Sequence, residues 1–124
     1  MKHHIMLVDD ERDVLLVLED LFTSRGYRVT TASDGTEALE MLKTQSPDLI
    51  LSDYRMNIMD GITFFKETRD ICPDAIRILL TAHGDMKLAM DAINEARVYK
   101  FITKPWNNND LAINVQRALE HYDR

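Results

Sequence analysis

Four short stretches hold the residues with chemical reach: Asp9-Asp10-Glu11, Asp53, Thr81-Ala82 and Thr103-Lys104-Pro105. Each follows directly on a short apolar run. Gathered in space, Asp9, Asp10, Asp53, Thr81 and Lys104 bring together three carboxylates, a hydroxyl and an ammonium. Carboxylates at close range raise one another's pKa, so such a cluster is costly unless a cation neutralises it. Oxygen donors of this hard kind suit Mg²⁺, with Mn²⁺ able to substitute. A metal-neutralised aspartate is a competent nucleophile toward phosphorus. Phosphoryl transfer then needs mainly positioning and neutralisation of the equatorial oxygens. Lys104, the Thr81 hydroxyl and the Ala82 backbone N–H have the right donors for that task. Taken one at a time, each residue has a plain structural reading: an Asp at a strand end often caps a helix, and Asp10 could cap the first one. Only their convergence favours chemistry.

Convergence depends on the elements around them. Residues 5–8 form an apolar run that reads as a strand, and a helix follows over 11–24 with Val14, Leu15, Leu18, Leu21 and Phe22 on one stripe. Gly26 stops it. Residues 27–31 alternate as a second strand, and Asp34-Gly35-Thr36-Glu37 opens a second helix over 36–44 in the manner of a capping box. Residues 48–52 and 76–80 are continuous apolar strands, as expected when both faces are covered. Between them a helix spans 62–71, with Cys72-Pro73 ending it. Asp85 opens a fourth helix carrying Met86, Leu88, Ala89, Met90, Ile93 and Ala96; strand five covers 99–102; Asn107 caps a last helix over 110–122. Strand alternating with helix five times predicts an α/β fold, with a mostly parallel sheet covered on both faces. In such sheets ligands sit beyond the carboxyl ends of the strands, where the four stretches fall.

Composition narrows the classes further. The 124 residues fit one domain, 45% of them apolar and 29% charged, which argues against disorder. With 15 basic and 21 acidic side chains the net charge is −6, which disfavours nucleic-acid binding by this segment. A single cysteine, Cys72, excludes an internal disulfide and a multi-cysteine zinc site. It fits a reduced, cytoplasmic setting. No apolar stretch approaches a membrane span, and no secretory signal is visible.

The stretches "MLVDDE", "DLILSDYRMNIMDG", "ILLTAHG" and "FITKPW", in this order and spacing, resemble the receiver domains of bacterial two-component response regulators. The resemblance covers essentially the whole chain. It implies a flavodoxin-like (βα)5 three-layer sandwich with a doubly wound parallel sheet of order 2-1-3-4-5. It implies that Asp53 is the phosphoacceptor, Asp10 a direct Mg²⁺ ligand, Asp9 an outer ligand through water, and the Arg55 carbonyl a further ligand beside Asp53. Thr81, Ala82 and Lys104 would bind the phosphoryl group, and the Lys104-Pro105 bond would be cis. A sensor histidine kinase or phosphotransfer protein would donate the phosphoryl group. The domain would catalyse only its own phosphorylation and dephosphorylation, and relay its state to an output domain or partner through helix four, strand five and helix five. A homodimer through that face fits the same pattern.

Two departures stand out. The family usually has Met-Pro where this chain has Met56-Asn57, which would free the loop after Asp53. The switch aromatic is Phe101, without a hydroxyl, so it can signal only by packing inward or outward as Thr81 moves; its other reading is a core residue of strand five. Arg55 and His83, two residues past Asp53 and Thr81, fall where the family tunes phosphate lifetime. Arg55 is expected to pair with the phosphoryl group or screen it, while a surface role is equally open for His83. His3 and His4 read as strand-edge residues. Trp106 either anchors a partner or packs on the last helix. Receivers resembling this Lys-Pro-Trp variant are often parts of larger signalling proteins, so residues 1–124 read as one receiver domain acting alone or, favoured, cut from a longer regulator.

Other classes fare worse. A haloacid-dehalogenase-like aspartyl-phosphate phosphatase needs an Asp two residues past its nucleophile, where Arg55 stands. A flavodoxin-like electron carrier needs a phosphate loop where Asp9-Asp10 would repel it. A receiver fold used only for protein binding has no need of the complete Asp10, Asp53, Thr81, Lys104 set.

Overall fold

The computed structural model describes residues 2–90 and 93–122. Its elements are β1 (His4–Val8), α1 (Arg12–Thr23), β2 (Arg28–Ala32), α2 (Gly35–Met41), β3 (Leu49–Asp53), α3 (Gly61–Thr68), β4 (Ile76–Ala82), a 3₁₀ turn (His83–Asp85), α4 (Met86–Met90), α5 (Ile93–Ala96), β5 (Lys100–Lys104) and α6 (Asn108–Tyr122). The described strands form one parallel sheet of order β2-β1-β3-β4-β5, the predicted architecture.

Period-two alternation sends the central strands' side chains into two separate cores. Ile5, Leu7, Leu49, Leu51, Ile78 and Leu80 pack with Leu18 and Phe22 of α1 and Leu111 and Val115 of α6. Met6, Val8, Ile50 and Leu79 pack on the other face with Phe64 and Phe65 of α3, Ala89 and Ala96. Both faces are therefore covered, which explains why these strands are so largely apolar, with Arg77 of β4 a buried exception. Phe22, Phe64 and Phe65 are fully buried, each stabilising the fold by about 2–3 kcal/mol relative to exposure.

Several expected boundaries shift. Helix three is shorter than 62–71, ending at Thr68; Cys72 lies beyond it, and its carbonyl accepts a hydrogen bond from buried Arg77. That guanidinium also satisfies the Thr68 and Ala75 carbonyls near the helix end. Strands three and four extend to Asp53 and Ala82, and strand five runs to Lys104, so Asp53, Thr81, Ala82 and Lys104 lie inside the ladder. Asp34 caps α2 by accepting from the Glu37 N–H at 2.8 Å, as the capping box predicts. Asn107 accepts from the Asp110 N–H at 3.1 Å, although α6 begins two residues earlier than expected, at Asn108. Asp85 stands directly before α4, as expected, but it also closes the 3₁₀ turn, and its carboxylate is taken by Arg55. The expectation of one helix through 85–96 falls partly on residues 91–92, outside the described residues. His4 is no edge residue: β1 lies inside the sheet, and His4 is buried with its Nε2 3.0 Å from Thr30 Oγ1.

Candidate functional site

The carboxyl ends of β1, β3, β4 and β5 are adjacent in register, Val8 opposite Ser52, Asp53 opposite Leu80 and Ala82 opposite Lys104. Chain direction alone thus places Asp9, Asp53, Thr81 and Lys104 on one edge of the sheet. Asp9, Asp10 and Asp53 each offer an oxygen within 4.8 Å of the other two. Lys104 Nζ lies 2.9 Å from Asp53 Oδ1 and 3.9 Å from Asp9 Oδ2. A cleft of about 260 Å³ opens here, lined by Glu11, Asp53, Arg55, Ala82, Asp85 and Lys104.

Burial governs the electrostatics. It pushes the Asp9 carboxyl up to about 6, with the Asp53 charge adding to the rise and the Glu11 N–H opposing it. Burial also raises Asp53, against the hydrogen bond and charge of Lys104. For Lys104, burial pulls the ammonium down, but the bond to Asp53 and the nearby carboxylates outweigh it and hold the pKa above its ordinary value. Asp9 Oδ1 accepts from the Glu11 N–H at 2.8 Å, whereas buried Asp9 Oδ2 accepts no hydrogen bond among the described residues. A buried carboxylate oxygen without a donor, facing two more carboxylates, fits a divalent cation with all-oxygen ligands.

Asp10 is not the cap of α1. Its Oδ2 accepts from the Asn57 N–H at 3.2 Å. The missing proline therefore does not simply loosen the loop, because proline would have no N–H to give. The Asn57 carbonyl accepts in turn from Met59 N–H at 2.9 Å, closing a tight turn around Ile58, whose φ is +76°. That conformation is strained for a β-branched residue. Gly61 is needed just beyond: a Cβ there would collide with the Asp53 carbonyl oxygen and reach within 2.7 Å of Leu79 Cδ1.

Thr81 is fully buried, and its hydroxyl donates to the Ala82 carbonyl at a long 3.3 Å. Phe101, opposite Leu79, is half-buried against the core beside α3. The Lys104-Pro105 bond is cis. Trp106 is half-buried on the core that includes Leu111 and Val115, and its Nε1 donates to Asn108 Oδ1 at 3.0 Å, so the packing alternative describes it. His83 is exposed in the 3₁₀ turn. The Arg55 side chain is engaged by Asp85. Its guanidinium clasps Asp85, Nε to Oδ2 at 2.7 Å and Nη2 to Oδ1 at 2.8 Å. Sequence reasoning missed Asp85 because a helix-opening role accounted for it; an Asp four residues past Thr81 and an Arg two past Asp53 were the available signal.

The family model of the response regulator receiver domain matches residues 5–116. The chain belongs to that family. This receiver is 40% identical over 117 residues to the transcriptional regulatory protein GlrR of Escherichia coli (strain K12), covering 94% of this chain and 26% of that protein. It is 35% identical over 116 residues to the DNA-binding transcriptional regulator NtrC of Klebsiella pneumoniae, covering 94% of this chain and 24% of that protein. The receiver thus spans about a quarter of the length of these curated relatives. Among solved structures, the signal receiver domain of an HD domain-containing protein from Pseudomonas fluorescens Pf-5 matches with a TM-score of 0.91 and 35% identity, over 98% of this chain and 90% of that one. A CheY-like receiver from Methanospirillum hungatei JF-1 matches in fold, with a TM-score of 0.93 at 23% identity over 99% and 98% of the two chains. Among the described residues no helix is long and apolar enough to cross a membrane.

Proposed function

We propose that this receiver accepts a phosphoryl group on Asp53 from a sensor histidine kinase or phosphotransfer protein. A carboxylate oxygen of Asp53 attacks phosphorus, the P–N bond to the donor imidazole breaks, and the imidazole leaves with the electron pair. Lys104, already on Asp53 Oδ1 at 2.9 Å, orients the nucleophile and remains to bind the added charge. Thr81, whose hydroxyl is weakly engaged, and the Ala82 N–H complete the phosphoryl pocket. Asp9, Asp10, Asp53 and the Arg55 carbonyl would hold Mg²⁺ or Mn²⁺, which when bound neutralises the carboxylates and the phosphoryl oxygens. The observation that carries this reading is the Asp9-Asp10-Asp53 cluster, with Asp9 and Asp53 buried, Lys104 on Asp53, and an Asp9 oxygen that accepts no hydrogen bond among the described residues.

The signal would leave through α4, β5 and α6. Movement of Thr81 toward phosphate would change the packing of Phe101 on the same face, a two-state coupling. Leu88 and Met90 on α4, Tyr99 before β5 and Ile113 on α6 are exposed, an apolar surface suited to an output partner or a second copy. The output named for GlrR and NtrC is transcriptional; for this chain an output of that kind is part of the proposal. Incubation with phosphoramidate and Mg²⁺ followed by intact-mass measurement tests the acceptor role. A single phosphate adduct that disappears in Asp53→Asn is expected; no adduct under saturating donor would overturn it.

A further inference from the structure

The Arg55–Asp85 pair joins two loops that the phosphoryl site must share. Arg55 lies in the loop after β3, two residues from Asp53, and Asp85 closes the 3₁₀ turn that leads into α4. Both line the same cleft as Asp53 and Lys104. The contact uses two short parallel hydrogen bonds, 2.7 and 2.8 Å, the planar fork geometry that guanidinium also offers to phosphate. The Asp85 side chain is only 10% exposed, covered by an Arg55 side chain that is 73% exposed. Arg55 thus reaches its partner from the solvent side, whereas Asp85 is buried in the turn.

Phosphorylation would place close to two negative charges and three acceptor oxygens in this cleft. One guanidinium cannot serve both a fixed carboxylate and a phosphoryl group with its full fork. We propose that Arg55 is an exchange latch: it holds Asp85, and so the 83–90 segment, while Asp53 is unmodified, and transfers to the phosphoryl group once it forms, releasing that segment. The latch rests on the phosphoacceptor reading and adds a route from Asp53 to α4 separate from Thr81 and Phe101. Asp85 is then a positioning residue that taxes the phosphorylated state, and Arg55 carries the charge between the two partners.

Beryllofluoride with Mg²⁺, an acyl-phosphate mimic, is the probe. Asp85→Asn removes the competing charge and keeps the side chain's shape, so it should bind the mimic about three- to tenfold more tightly than the unsubstituted chain. In an Arg55→Gln background, which preserves the residue 55 carbonyl, Asp85→Asn should bring no gain. Hydrogen exchange over residues 83–90 should speed up on adding the mimic to the unsubstituted chain, and be fast beforehand in Asp85→Asn. Unchanged affinity in Asp85→Asn, the same gain without Arg55, or exchange indifferent to the mimic would each overturn the latch while leaving Asp53 as acceptor. No binding of the mimic even by the unsubstituted chain would overturn the acceptor reading, and the latch with it.

Discussion

Asp9 and Asp10 are neighbours in sequence with opposite surroundings. Asp9 is buried, its pKa raised from 3.8 to about 6, chiefly by burial. In metal-free protein the native state keeps a proton on Asp9 that the unfolded chain has already released between those two values. Stability should therefore fall as pH rises from about 4 to about 6, by roughly 2–3 kcal/mol for this group. Asp53, also raised, acts in the same direction. Urea denaturation of chelator-treated protein checks this; Asp9→Asn should flatten the fall, and an identical pH profile in that variant would contradict the assignment. Asp10 instead leans on the Asn57 N–H. Asn57→Pro restores the family's usual residue but removes that donor, leaving Asp10 less well placed among the carboxylates. Calorimetric titration with Mg²⁺ should show affinity weakened about three- to tenfold; equal or tighter binding would show that the hydrogen bond does not position Asp10.

At the scale of elements, the loop from β3 into α3 must bring Gly61 against the Asp53 carbonyl, and Gly61 donates its N–H to the Tyr54 carbonyl at 2.8 Å. Gly61→Ala would force this loop or Leu79 aside, at a cost of about 1–3 kcal/mol, and should also slow phosphorylation because Asp53 moves with its own backbone. By contrast Asp34→Ala removes the α2 cap, costing about 1 kcal/mol in thermal or chemical unfolding with no change in phosphorylation. Much of the fold was legible because β1, β3 and β4 bury both faces and α1 and α6 carry clean apolar stripes. Asp9, Asp53, Thr81 and Lys104 were legible as a group because a parallel sheet places all its carboxyl ends on one edge. The loop contacts were not. Asn57 to Asp10 and Arg55 to Asp85 join residues 47 and 30 positions apart through loop conformations that no hydrophobic period encodes. Trp106 was undecided for a similar reason: its packing depends on where α6 begins, which Asn108 rather than Asp110 sets.

Across the whole molecule two buried cores cover the two faces of the sheet, and the candidate site lies at one edge of it. Three carboxylates gather there around Lys104, within a chain of net charge −6, the arrangement that the proposed cation and phosphoryl group would meet. The relatives are about four times longer than this chain. Phosphorylation of the Asp53 carboxylate can be read at residue resolution. After incubation with acetyl phosphate and Mg²⁺, borohydride reduction converts an aspartyl phosphate to homoserine, which peptide mass spectrometry locates. Homoserine at position 53 alone, absent when Mg²⁺ is chelated, is the predicted result. Homoserine at Asp9, Asp10 or any other position, or an unmodified Asp53 with donor in excess, would contradict the account.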